Sequence, residues 1–321
     1  MNNEKKILLE IKNLKKYFPI KGKGTLYAVD DISFNIHEGE TVGLVGESGC
    51  GKSTVGNVIL GLLPATGGKV IYDNINLVNL SRKERLPYCK KVQIVFQDPY
   101  SSLNPKKTIK QILSEAFIIH KVGNKDEVDG KVRYLCDITG IEEALWVKYP
   151  HELDGGKRQV VGIARALALN PSFIVCDEPV SSLDVSIQAK IINLLIDLRE
   201  KLNLTYLFIS HDLSVVRHIS NRVAVMYLGR IVELAETDDI FNSPKHPYTE
   251  ALLSAVLNID MTQNKEHIVL EGDVPTPINP KPGCRFAPRC RFAKDICFKD
   301  MPELKEAGEG HYVSCHLFSE K

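Results

Sequence analysis

The run Gly46-Glu47-Ser48-Gly49-Cys50-Gly51-Lys52-Ser53 constrains this chain more than any other stretch. It fits Gly-x4-Gly-Lys-Ser, a loop whose glycines let backbone N–H groups point inward around phosphates. The apolar segment Thr41 to Val45 precedes it and reads as a strand. Val55 to Leu63 follows as a helix that stops before Pro64. The start of a helix adds its positive dipole end to such a loop. The pattern predicts ATP binding, with Lys52 reaching the β- and γ-phosphates and the Ser53 hydroxyl on Mg²⁺. Thr54 completes the binding set. The alternative is a chance Gly-rich turn, against which the strand before and the helix after count.

The rest of the chain alternates strands with helices. To Phe34, short apolar segments such as Ile7 to Ile11 and Ile32 to Ile36 read as antiparallel strands. Val92 to Phe96 alternates like a strand, and the region from about Pro105 to Leu145 reads as helices, with Ile109, Ile112, Leu113, Ala116 and Phe117 on one face. Phe173 to Cys176 and Tyr206 to Ile209 are fully apolar strands of a buried parallel sheet. Helices are expected over Gly155 to Leu169 and Ser186 to Leu202. This order indicates an α/β core. Pro and Gly crowd residues 272–290, so regular structure is not expected there. A domain boundary is expected near 255–260, dividing a nucleotide-binding domain, 1–255, from an extension, 256–321.

Asp177-Glu178 ends the apolar strand at Cys176. Carboxylates at the carboxyl end of a parallel strand face the ligand crevice. Asp177 is expected to hold Mg²⁺, and Glu178 to orient and deprotonate the attacking water. Alone, Asp-Glu before Pro179 has a solvated turn as its lesser alternative; downstream of a phosphate loop it reads as catalytic.

With these residues, the chain over 7 to about 235 resembles the nucleotide-binding subunit of an ABC transporter. The resemblance implies an α/β fold of the ABC-type phosphate-loop class: a RecA-like core, an antiparallel β subdomain, and a helical subdomain over about 100–168. It assigns Gln97, in Phe96-Gln97-Asp98-Pro99, to the Gln loop that touches Mg²⁺ and senses the membrane subunit. Leu153-Asp154-Gly155-Gly156-Lys157 stands where the family signature Leu-Ser-Gly-Gly-Gln belongs. Ser181-Ser182-Leu183-Asp184 matches the D-loop, His211 the switch histidine that contacts the γ-phosphate, and Tyr17 the aromatic residue that stacks on adenine. In that family the active site is split: one subunit supplies the phosphate loop, and the opposite subunit aims its signature helix at the γ-phosphate.

The signature departs from the family. Asp154 replaces serine and Lys157 replaces glutamine. Asp is a good N-cap for the following helix whether or not ATP binds. A carboxylate facing the partner's γ-phosphate is also repelled by it, by roughly 4 kcal/mol for unit charges ~4 Å apart at an effective dielectric of 20, before screening by solvent and Lys157. A heterodimer with one weaker ATP site is therefore expected.

Three stretches resemble the oligopeptide/dipeptide importer branch: residues 97–105, Tyr149-Pro150-His151-Glu152-Leu153, and Ser243-Pro244-Lys245-His246-Pro247-Tyr248-Thr249. The form of residues 97–105 is most like the second of two paired ATPases. The resemblance implies a second homologous ATPase subunit, two permease subunits and an extracytoplasmic substrate-binding protein, with the chain peripheral on the cytoplasmic face of the membrane. Nickel or metal-chelate import is the alternative cargo. A soluble ABC ATPase acting on nucleic acid or ribosomes, or a metal-sensing regulator, are the competing classes.

Cys284, Cys290, Cys297 and Cys315 crowd into the end of the chain. Their spacing matches neither a zinc ribbon nor a ferredoxin run, and leaves metal ligation and burial as small hydrophobes both open. Arg285, Arg289 and Arg291 flank the thiols and are expected to favour thiolates. Some members of the resembled branch carry a four-cysteine [4Fe–4S] cluster here, which the resemblance extends to these four residues.

The bulk numbers exclude other classes. Net charge is +1, which gives no support to a nucleic-acid surface. Met1 to Lys6 lacks the apolar core of a signal peptide, and no stretch approaches the ~20 apolar residues of a membrane helix.

Overall fold

The computed structural model describes residues 6–257 and 275–318. Residues 258–260 of the expected boundary, Gly272 and the opening Met1 to Lys5 lie outside the described residues. The chain forms two compact units. One contains residues 6–37, 41–79, 209–257 and 275–318; the other contains 38–40 and 80–208.

The first unit opens with a long hairpin. β1 (Ile7–Ile20) pairs antiparallel with β2 (Gly24–His37), with register shifts along its length. The sequence shows only short apolar segments here, because those shifts interrupt the alternation. β3 (Thr41–Val45) is buried at every position and leads into the phosphate loop and α1 (Lys52–Leu60). Gly61 ends that helix in the left-handed conformation, φ 72°, three residues before Pro64. β4 (Gly67–Tyr72) and the two-residue β5 (Ile75–Asn76) complete a sheet of order β2-β1-β4-β5.

The second unit carries α2 (Arg82–Arg85), β6 (Val92–Val95), α3 (Pro99–Ser102), α4 (Ile109–Ile119), α5 (Lys125–Thr139), α6 (Gly155–Leu167), β7 (Phe173–Asp177), α7 (Val185–Leu202) and β8 (Thr205–Ile209). β6 and β7 are parallel, with Val92 opposite Phe173 and Val95 opposite Cys176. The apolar run of β7 follows from burial on both faces, whereas β6 keeps Gln93 and is only half-buried at its centre. The expected helical region holds α4 and α5, each started by a capping box, Thr108 with Gln111 and Asn124 with Glu127. Ile109, Ile112, Leu113 and Phe117 of α4 are buried as expected, but Ala116 is not.

The chain returns to the first unit with α8 (Leu213–Ile219), β9 (Arg222–Tyr227), β10 (Arg230–Glu236), α9 (Thr237–Asn242) and α10 (Pro247–Leu257). Two later strands, β11 (Lys305–Gly308) and β12 (His311–Val313), join the same sheet. β3 is parallel to β9, β9 antiparallel to β10, β10 antiparallel to β12, and β12 antiparallel to β11. Between 275 and 304 the described segment has only short 3-10 turns and one bridge, Leu26 to Ile278. The pair Glu233–His311 fastens it: Nε2 of His311 lies 2.7 Å from Oε1 of Glu233, and Glu233 also accepts from the N–H groups of Lys245 and His246 at 2.7 and 3.0 Å. A carboxylate this deeply buried requires such partners.

Candidate functional site

In the first unit, the phosphate loop leaves β3 through Gly46 and enters α1 through Gly51. Both glycines have positive φ, 149° and 109°. A Cβ on Gly46 would stand 2.1 Å from the Met226 carbonyl oxygen, and one on Gly51 2.0 Å from that of Ala28. The loop is pressed so closely onto β9 and β2 that no side chain fits. Lys52 is buried, and its Nζ donates to the carbonyls of Gly46 at 2.7 Å and Glu47 at 3.1 Å. Ser48 and Gly49 form the turn between; Cys50 is buried against Lys52, and burial raises its thiol pKa.

Tyr17 is half-buried on β1. Its ring lies 4.3 Å from that of Tyr27, and its hydroxyl donates to Oδ1 of Asp30 at 2.5 Å. Asp30 also receives Arg230 at 3.1 Å and Arg285 at 2.5 Å on Oδ2. Burial alone would raise the Asp30 pKa; the Tyr17 hydroxyl and the Arg230 and Arg285 guanidinium groups outweigh it and hold it low. Burial and the Asp30 carboxylate push the Tyr17 phenol up. His211 is exposed just after Ser210, whose N–H donates to Leu44 at 3.3 Å. Asp212 caps the next helix through Ser214 and Val215.

In the second unit, Asp177 and Glu178 stand half-buried at the end of β7. Glu178 has φ 45°, a left-handed conformation that a side chain of this size adopts at a cost. Gln97 donates from Nε2 to Oε2 of Glu178 at 2.9 Å. Asp154 caps α6: Oδ1 accepts from the N–H of Lys157 at 2.8 Å, and Lys157 Nζ stands 3.4 Å from Oδ2. The Lys157 N–H bond, ahead of its ammonium, holds the Asp154 pKa low. The signature glycines make room for the D-loop and its helix: a Cβ on Gly156 would come within 2.6 Å of Ile187, and one on Gly155 within 3.1 Å of Leu183. Asp184 caps α7 through Ile187 and Ser186. Ser181 Oγ donates to the Glu178 carbonyl at 3.2 Å; Ser182 is exposed.

Several contributors escaped the sequence reading. Gln188 donates to the Val180 and Leu183 carbonyls at 3.1 and 2.9 Å and so shapes the D-loop. Gln159 is buried and reaches the Phe96 carbonyl beside Gln97 at 3.4 Å. Neither belongs to a motif, and only its polar side chain on a largely apolar helix face marks it. In the first unit, Arg289 and Tyr248 contact Glu47 of the phosphate loop.

Cys284, Cys290, Cys297 and Cys315 border one cavity of about 10 Å³, together with His246 and Phe286. Among the described residues, no three His, Cys, Asp or Glu side chains are grouped to hold a single metal ion. Burial outweighs the flanking arginines at three of these thiols. Burial raises the pKa of Cys284 to about 11 and also raises those of Cys290 and Cys315. The flanking arginines do not offset this, because Arg285, Arg289 and Arg291 are engaged by Asp30, Glu47 and Glu250.

Residues 29–181 match the family model "ABC transporter", and residues 232–297 match "Oligopeptide/dipeptide transporter, C-terminal region". The oligopeptide transport ATP-binding protein AppF of Bacillus subtilis is 50% identical, over 97% of this chain and 98% of its own length. The chain belongs to the ATP-binding subunits of ABC transporters, in their oligopeptide/dipeptide branch. A putative peptide import ATP-binding protein of Brucella ovis is 46% identical over 96% of this chain and 97% of its own. Among solved structures, a dimeric ATP-binding cassette, MJ0796, bound to ADP and Pi superposes with TM-score 0.66 at 32% identity, over 71% of this chain and 98% of that one. The cassette cbiO1 of Clostridium perfringens, part of an ABC transporter complex, gives TM-score 0.68 at 27% identity, over 80% and 96%. As an ABC transporter ATP-binding subunit the chain is an ATP hydrolase, with ATP and Mg²⁺ as its expected ligands. No described helix is long and apolar enough to cross a membrane.

Proposed function

We propose that this chain couples ATP hydrolysis to peptide import through permease subunits, from the cytoplasmic face of the membrane. The observation that carries the reading is full-length likeness to a subunit named for oligopeptide transport, joined to a phosphate loop whose lysine is already braced. In this reading Lys52 binds the β- and γ-phosphates, and Ser53, Asp177 and Gln97 would hold Mg²⁺, which would supply charge neutralisation at the phosphates. Glu178, held by Gln97, takes the proton of the attacking water, and His211 contacts the γ-phosphate. Tyr17 supports adenine. Asp154, Gly155, Gly156 and Lys157 serve the nucleotide of a second, homologous ATPase subunit, with the D-loop residues Ser181 to Asp184 alongside.

The partnership we propose is a heterodimer bound to two permeases and fed by a substrate-binding protein. Reconstitution with the permeases tests it. ATP turnover should rise with a peptide-loaded binding protein; turnover that responds to nickel or a chelate and not to peptide would assign the other cargo.

We further propose that Cys284, Cys290, Cys297 and Cys315 hold an iron–sulfur cluster of the [4Fe–4S] type. Their shared cavity and all-sulfur donor set support it. Such a group would cross-link a segment that has little core of its own. Anaerobic purification should give about four irons and four sulfides per chain; a colourless, iron-free protein rejects the cluster.

A further inference from the structure

The phosphate loop is gripped from outside by a segment more than 200 residues away in sequence. Arg289 Nη1 lies 3.0 Å from Oε2 of Glu47, and both Nη1 and Nη2 lie 3.3 Å from Oε1. The guanidinium is almost wholly enclosed, with 7% of its side chain exposed. The N–H of Glu47 donates to the buried Tyr248 hydroxyl at 3.0 Å, and the Glu47 carbonyl accepts from Lys52. Every polar group of Glu47 is thus engaged: its carboxylate and N–H by the carboxyl-terminal part of the chain, its carbonyl by the phosphate-binding lysine. Tyr248 is itself seated, with the Phe286 ring 5.5 Å away, and Arg289 Nη1 also lies 3.4 Å from the Tyr227 hydroxyl.

We propose that Arg289, with Tyr248, is a positioning residue for ATP. It fixes the Gly46–Glu47 backbone that holds Lys52 in place to meet the phosphates. The inference rests on the reading of residues 46–53 as the nucleotide loop. A planar guanidinium fork suits this task, because two parallel N–H bonds fix the orientation of a carboxylate as well as its distance. Its loss would free the Glu47 side chain and leave the Tyr248 hydroxyl as the one group holding Glu47 from the carboxyl-terminal part of the chain. The brace acts on nucleotide affinity and not on the groups that do the chemistry, so KM should move and kcat should move less.

The test uses the full chain, with MgATP binding read by displacement of a fluorescent nucleotide, and KM and kcat read on the assembled transporter. Arg289→Gln should weaken ATP binding about tenfold, as expected for the loss of hydrogen bonds to a charged group. Arg289→Lys should fall between. Glu47→Gln should weaken binding by a similar factor, and the double variant should be no weaker than either single one, because both remove the same interaction. Arg291→Gln, which removes a charge from the same segment at an exposed ion pair with Glu250, should bind ATP as the wild type does. Wild-type affinity in Arg289→Gln, or losses that multiply in the double variant, would overturn the brace. Should Arg289→Gln fail to fold, Glu47→Gln decides alone, and wild-type affinity there overturns it. Lys52→Ala separates the two levels: if it binds ATP as well as the wild type, the nucleotide reading fails instead.

Discussion

Gln97 holds Glu178 through a single hydrogen bond of 2.9 Å, Nε2 to Oε2, while the Glu178 backbone sits at φ 45°. The carboxylate is therefore fixed at both its base and its tip. Glu178→Gln keeps the volume and removes the proposed base. Turnover should fall by roughly 10²- to 10⁴-fold, with ATP binding retained. Undiminished turnover in single-turnover assays would remove Glu178 from that role. Gln97→Ala should also lower turnover, because it removes both this hydrogen bond and the Mg²⁺ ligand proposed for Gln97.

Asp154 has two occupations that one substitution can separate. As N-cap it accepts the Lys157 N–H, a bond serine makes nearly as well. As a carboxylate it would face a phosphate on the partner subunit. Asp154→Ser should leave thermal stability within about 0.5 kcal/mol and raise ATPase activity of the assembled complex. A fall, or no change, counts against the repulsion.

Gly156 should tolerate no side chain. A Cβ there would stand 2.6 Å from Cγ2 of Ile187. Gly156→Ala should cost roughly 1–3 kcal/mol in denaturant unfolding. Ile187→Ala in the same chain should recover part of the loss, and strict additivity would refute the clash.

Asp30 predicts a pH dependence. Its folded pKa lies below the ordinary carboxylate value of 3.8. Its contribution is therefore fully present above that value and is lost as pH falls through the lower folded one. Asp30→Asn should cost roughly 3 kcal/mol at neutral pH, because it leaves the buried Arg285 without its carboxylate. The gap to wild type should narrow below pH 3.8. A gap that stays constant into that range would show that charge is not what Asp30 supplies.

Much of the site was legible because its parts are local. The phosphate loop is one run of eight residues, β3 matched its apolar stretch end to end, and Asp177-Glu178 ended the strand predicted for it. What the sequence hid were contacts between distant segments. Arg285, Arg289 and Arg291 stand beside thiols in the chain, so a local reading paired them with sulfur. In space their charges are spent on carboxylates far away in sequence, and burial governs the thiols instead. Nothing local in the signature run reveals Ile187 and Leu183 pressing against Gly156 and Gly155.

The grip on Glu47 also sets an order in time. Synthesis runs from the amino end, and Arg289 is added 242 residues after Glu47. A nascent chain therefore displays the phosphate loop long before it owns the guanidinium that steadies it. Strand β10 waits in the same way for His311 and β12. If the brace acts as proposed, tight nucleotide binding is complete only once the segment carrying Arg289 has been made and has docked.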